Sequence, residues 1–273
     1  MGGLEGPPKP PIGGSEAARG TRAAPRGLDS FTRSVRVEVI PTADAVDPEA
    51  LGGAAVLIVD VLRASTTIIT ALAHGAAAVV PVAGPSDARL RAGAFDDGGA
   101  IVAGERGGEM VPGFDLGNSP VAFASERVRG RTVVFTTSNG TRALLAARRA
   151  AAVGIAALVN ASAASAWAEA QARDVVIVCA GERGRSSLED TVCAGLLVER
   201  LPGTTPTAAA REAVTTARRY GADVGRLAVD SRWARHLDAA GHGLDVAACL
   251  ALDTTAVVPV YLPDVDKVVL APR

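Results

Sequence analysis

DVVIVCAGERGRSSLEDTVCAGLLVERL, residues 174–201, decides how the chain is read. An almost unbroken apolar run rich in β-branched residues suits a strand buried on both faces. A polar, glycine-containing turn follows, and then a helix-like stretch over 187–201. The same unit recurs. AAVLIVD (54–60) leads into STTIITALAHG (65–75), RTVVFTT (131–137) into TRALLAARRA (141–150), and IAALVN (155–160) into SAASAWAEAQA (162–172). VRVEVI (35–40), AAAVVPVA (76–83) and GAIVAGE (99–105) are further expected strands. This alternation predicts an α/β fold, three layers built on a mostly parallel or mixed central sheet. Helical stretches are expected near 206–220 and 226–240. AVVPVYLP (256–263) and DKVVLAP (266–272) are then expected to form an antiparallel hairpin at one edge of the sheet near the C-terminus.

Composition narrows the function classes. The 273 residues are 48% hydrophobic but only 3% aromatic, so the core must be built from Ala, Val, Leu and Ile. A formal net charge of −1 gives no global attraction to nucleic acid or to an anionic membrane, so neither is expected as a partner. Cys179, Cys193 and Cys249 lack zinc spacing, and an odd count argues against a disulfide framework. No apolar run approaches a membrane span. Residues 1–33 are rich in Gly, Pro and Ala, lack the apolar centre of a secretory signal, and are expected to be a disordered tail. The domain is expected over 34–273, as one body or two lobes, in a cytoplasmic protein whose Ala-rich helices permit a homodimer.

In open α/β sheets ligands bind beyond the carboxyl ends of the strands. Polar residues cluster there in this chain. Asp60, Arg63 and Ser65-Thr66-Thr67 follow one strand, Glu105 and Arg106 another, and Ser138-Asn139-Gly140-Thr141-Arg142 a third. Asn160 ends a fourth, and Glu182, Arg183, Glu189 and Asp190 surround the end of the fifth. Carboxylates, hydroxyls, amides and arginines on one rim suit a magnesium ion and a small anionic substrate. Plain structural roles compete with this. Ser65–Thr67 would serve as a helix cap, the turn at 136–141 as a tight turn using Gly140, and Glu189-Asp190 as complements to a helix dipole. Asp60 is harder to dismiss, because a carboxylate at the end of a buried strand needs a partner or a metal. The loop GERGGEMVPGFDLGNSP (104–120) is long, irregular and unlike a linker, and so reads as a site loop carrying Glu105, Arg106, Asn118 and Ser119.

DVLRASTT (60–67), GERGGEMVPGFDLGNSP (104–120), TTSNGTRAL (136–144), LVNASA (158–163) and CAGERGRSSLEDTVCAG (179–195) together resemble the 2-phosphosulfolactate phosphatase family. The resemblance runs in order from about residue 35 to the C-terminus. It implies a magnesium-dependent acid phosphatase that converts 2-phosphosulfolactate to sulfolactate in coenzyme M biosynthesis, on an α/β fold unlike the common phosphatase folds. Ser65 and Ser138 stand where threonine is expected, which keeps the hydroxyl. On this reading Asp60, Glu105 and one of Glu189 or Asp190 hold magnesium. The turns Ser65–Thr67 and Ser138–Thr141 donate to phosphate. Arg63, Arg106 and Arg142 supply cations for a substrate carrying phosphate, carboxylate and sulfonate.

Two alternatives stand beside it. Cys179 and Arg185-Ser186 have the C-x5-R-[ST] spacing of a cysteine phosphatase, whose thiolate attacks phosphorus. The family pattern does not require an arginine at 183 or 185, so Cys179 reads better as a small core residue at a strand end. The other alternative is a protein that binds an anionic metabolite without catalysis; the carboxylates argue against it, since anion binding gains nothing from them without a metal.

Overall fold

The computed structural model describes residues 34–95 and 98–271, together with residues 1–3, 6 and 8. Most of the expected tail therefore lies outside the described residues. The strands are β1 (Arg36–Ile40), β2 (Ala55–Val59), β3 (Ala78–Pro81), β4 (Ala100–Arg106), β5 (Glu109–Met110) and β6 (Thr132–Thr136). β7 (Ala152–Ala156), β8 (Val175–Cys179), β9 (Thr205–Pro206), β10 (Pro259–Leu262) and β11 (Lys267–Leu270) complete them. They form one sheet in the order β5-β4-β6-β3-β11-β10-β7-β2-β8-β1-β9.

The helices are α1 (Ala64–Ala73), α2 (Pro85–Ala92), α3 (Ser125–Val128), α4 (Gly140–Ala146), α5 (Ala161–Ala170) and α6 (Leu188–Glu199). α7 (Ala208–Arg218), α8 (Leu227–Asp230), α9 (Arg232–Ala239) and α10 (Gly243–Cys249) follow. Alternation along the central strands sorts them into two layers. Leu57, Val59, Val175 and Ile177 face α5, α6, α7, α9 and α10, while Val56, Ile58, Val176 and Val178 face α1 and α4. That two-sided burial is why β2 and β8 read as continuous apolar runs rather than alternating ones. With few aromatic rings the layers close through small residues. At Gly195 of α6 an added Cβ would lie 2.2 Å from the carbonyl oxygen of Ala213 in α7.

The expected hairpin exists but is not at an edge. β10 and β11 pair with each other antiparallel, and also antiparallel with β7 on one side and β3 on the other, in the middle of the sheet. Val268 is fully buried and Tyr261 nearly so, so this hairpin is core rather than trim. Three successive antiparallel pairings reverse the sense of the sheet. The parallel block β1–β8–β2–β7 therefore runs opposite to the parallel block β3–β6–β4. In a flat sheet their carboxyl ends would lie at opposite edges. The loops that follow the two blocks nevertheless line one cleft.

Candidate active site

Loops from the ends of β2 and β8 meet loops from the ends of β4 and β6 around a cleft of about 240 Å³. Asp60, Arg63, Glu105, Asn118, Ser138 and Asn139 line it, with Leu62, Gly107, Gly108, Glu182, Arg183 and Trp233. A small lobe of about 20 Å³ beneath shares Asp60 and Glu182 with the cleft and adds Ser187, Glu189 and Asp190. Asp60, Glu105, Asn139 and Asp190, far apart in sequence, are thus gathered at one place.

Local hydrogen bonds fix each carboxylate. Asp60 Oδ1 accepts from Ala64 N–H at 3.2 Å, and the Asp60 amide donates to Ser65 Oγ at 2.9 Å. Its other oxygen, Oδ2, packs against Gly140, where an added Cβ would stand only 2.7 Å away. Glu105 is a clamp: it accepts from Ser138 N–H at 2.6 Å, Gly108 N–H at 2.8 Å and Ser138 Oγ at 3.2 Å, and so ties the turn after β4 to the turn after β6. Asp190 accepts from Val61 N–H at 2.8 Å and Gly181 N–H at 3.2 Å, joining the turns after β2 and β8. Glu189 accepts from Ser231 Oγ at 2.8 Å. Ser231 also caps α9, accepting from Trp233 and Ala234 N–H at 3.1 Å each, which sets Trp233 in the cleft wall. Trp233 donates its indole N–H to the Leu62 carbonyl at 3.1 Å.

Arg63 is buried and doubly engaged. It donates to Asp245 at 2.6 Å and to the Gly108 carbonyl at 2.5 Å, while Asp245 also accepts from Ser119 Oγ at 2.6 Å. α10 is thereby strapped to the site. The Leu62–Arg63 peptide bond is cis.

Burial pushes the Asp60 carboxyl up to about 7, and the charges of Glu105 and Glu189 push the same way. Glu189 and Asp190 are likewise raised to about 7, by burial first and then by Asp190 and Asp60 respectively. Crowded, dehydrated carboxyls resist ionisation together, and a cation among them would reverse that. The donor set is all oxygen, which suits a hard divalent ion, and the lobe is large enough for one water-sized occupant. Among the described residues, however, no three acidic, histidine or cysteine side chains stand ready as ligands around one point. An ion bound here would have to keep several waters and take one or two carboxylates directly.

Other residues singled out in the sequence sit behind the cleft or away from it. The Ser65 hydroxyl donates to the Ile58 carbonyl at 3.2 Å, Thr66 to Val61 at 2.9 Å and Thr67 to Asn118 at 3.2 Å. These three hydroxyls hold the first turn of α1 and the 104–120 loop. Thr141 bonds back to Thr137. Arg106 donates to its neighbour's carbonyl at 2.6 Å and to Thr136 Oγ1 at 2.9 Å, and does not line the cleft. Arg142 is exposed and paired with Asp44. Asn160, fully buried, accepts from Ala157 N–H at 2.9 Å and donates to Ile155 and Val257.

The cysteine alternative finds no support. Cys179 is 1% exposed, and its Sγ lies 3.7 Å from the Asp190 carbonyl. Burial, with Asp190 beside it, pushes the thiol well above its ordinary value, away from the thiolate a nucleophile needs. Arg185 is exposed at the far side of a tight turn.

Trp233, Arg183, Glu182 and Asp245 were not among the residues selected from the sequence as site residues. Glu182 and Arg183 follow a strand end and carried a signal. Trp233 and Asp245 lie in helices of the C-terminal region, with no motif to connect them to the cleft.

Fold and cleft define the class: an α/β protein with carboxylates and arginines gathered at converging strand ends. Comparison with known proteins gives the family. The 2-phosphosulpholactate phosphatase family profile matches residues 40–263, and the chain belongs to that family. Several proteins named probable 2-phosphosulfolactate phosphatase are similar to it along nearly their whole length. That of Symbiobacterium thermophilum is 39% identical over 217 residues, 78% of this chain and 93% of the relative. Those of Gloeobacter violaceus and Deinococcus radiodurans are 41% and 38% identical, covering 82% and 85% of this chain and 94% and 95% of the relatives.

Proposed function

We propose that the protein hydrolyses 2-phosphosulfolactate, or a closely related 2-phospho-hydroxyacid, to the hydroxyacid and inorganic phosphate, with magnesium as its metal. The observation that carries this reading is the juxtaposition of a buried carboxylate lobe with a cleft that also presents arginine and amide groups. Asp60 and Glu189 would hold the ion, with Asp190 and Glu182, the latter already paired with Arg232, beside them. Glu105, whose oxygens already accept three hydrogen bonds, serves chiefly to set the loops. A bound magnesium ion would neutralise phosphate oxygens and so favour attack at phosphorus.

The chain's own groups bind and orient. The side-chain N–H groups of Asn118 and Asn139 would donate to the ligand, while the buried Asn118 Oδ1, without a partner among the described residues, only accepts and so suits a bound water or the ion. Arg63 keeps a fixed positive charge in the wall because Asp245 and Gly108 hold its guanidinium. Trp233 and Leu62 close the apolar side and limit water. In this reading the phosphoryl group lies toward the carboxylate lobe and the rest of the substrate toward the rim.

The test is phosphate release from phosphosulfolactate, phospholactate and phosphoglycolate, with EDTA or with added magnesium. Magnesium-dependent release with preference for the sulfonate supports the reading and a place in coenzyme M formation. Turnover that survives chelation, or no release from any of the three, contradicts it.

A further inference from the structure

Arg183 occupies an unusual position. Glu182 and Arg185 close a two-residue turn, with Glu182 N–H donating to the Arg185 carbonyl at 2.7 Å and Arg185 N–H donating back at 2.9 Å. The two residues between them, Arg183 (φ 50°) and Gly184 (φ 74°), both have left-handed backbone. Such turns favour glycine, asparagine or aspartate at both positions. A long β-carbon-bearing side chain at the first is strained, and strain of this kind persists mainly where the side chain has a task.

The side chain lines the cleft and, among the described residues, makes no hydrogen bond or ion pair. The other cleft arginine, Arg63, is already engaged by Asp245 and by a carbonyl, and Arg106 and Arg142 do not line the cleft. Asp60, Glu182, Glu189 and Asp190 line the lobe, and the remaining cleft carboxylate, Glu105, is tied to the turns by three hydrogen bonds. Among the described residues lining the cleft, the one uncommitted cation is thus Arg183, on the exposed tip of the turn after β8.

Resting on the proposed substrate class, we propose that Arg183 is a specificity residue that grips an anionic group of the substrate other than the reacting phosphoryl group. A guanidinium meets a sulfonate or carboxylate through two parallel N–H bonds, and a rim position lets the side chain fold over the ligand after it enters. The phosphate, drawn inward, is beyond its main role.

The test uses Arg183→Gly, which suits the turn, and Arg183→Lys, which keeps the charge but loses the fork. Two measurements are made on each and on the wild type. The first is the ratio of kcat/KM for phosphosulfolactate to that for phenyl phosphate, which lacks a second acid. The second is calorimetric binding of sulfolactate, which keeps both outer acids and lacks the phosphate. The proposal expects Arg183→Gly to lower the ratio and to weaken sulfolactate binding, each by about tenfold or more, with Arg183→Lys between. Phospholactate separates the two outer acids: a loss shared with it identifies the carboxylate, a loss confined to phosphosulfolactate the sulfonate. An unchanged ratio with unchanged binding, or a wild type that does not bind sulfolactate, overturns the proposal. Failure of the wild type to release phosphate while sulfolactate binding still depends on Arg183 would instead overturn only the proposed reaction.

Discussion

Gly140→Ala probes how closely the two halves of the site approach. The added Cβ would lie 2.5 Å from the Ala64 Cβ and 2.7 Å from Asp60 Oδ2. Carbon atoms in contact prefer about 3.5–4.0 Å, so the first turns of α1 and α4 must part by about 1 Å, or Asp60 must turn away. Overpacking of this kind costs about 1–3 kcal/mol. In a helix with free space the same change would stabilise by about 0.8–1 kcal/mol, so a net loss isolates the collision. Displacing Asp60 on this scale should also lower kcat/KM on the order of 10²-fold. Urea denaturation and a phosphate-release assay read the two effects separately. A variant as stable and as active as the wild type would refute the close approach and the role assigned to Asp60.

Asp245→Asn removes one side of a buried ion pair in which both side chains are 2% exposed. It should destabilise by about 3–5 kcal/mol in urea denaturation, whereas a change near zero would show that α10 does not secure Arg63. Cys179→Ala should keep turnover, since its thiol is buried and held protonated; abolished phosphate release from a folded variant would revive the cysteine mechanism. The metal-free protein should lose stability as pH rises from about 4 through 7. Unfolded carboxyls ionise near about 4, whereas Asp60, Glu189 and Asp190 hold protons in the fold up to about 7, so the folded state binds more protons in that window. Tm measured in EDTA should therefore decline across this range, with added magnesium restoring most at the upper end. A metal-free Tm that climbs with pH contradicts the crowding of these carboxyls.

The strands and helices were legible because each central strand is buried on both faces and each turn is polar. The placement of the C-terminal hairpin was not. AVVPVYLP carries the apolar character of a core strand, but nothing local says which strands it separates, and inserting it at the centre reverses half the sheet. Asp60 stood out because a carboxylate at a buried strand end demands a partner. The hydroxyls of Ser65–Thr67 donate to backbone carbonyls, a role that their short motif does not separate from ligand contact. Ser231, Trp233 and Asp245 act only through tertiary contacts that span tens to over a hundred residues, so their part could be seen only in the folded chain.

Beneath the cleft, Asp60 and the first turn of α6 enclose a space of about 20 Å³, where the proposed ion would sit. Diffraction from crystals grown with manganese in place of magnesium would locate that ion by its anomalous signal. One peak against Asp60, in the lobe shared with Glu182, Glu189 and Asp190, is the predicted result. A peak elsewhere on the chain, or none at a concentration that sustains turnover, would contradict the account at its centre.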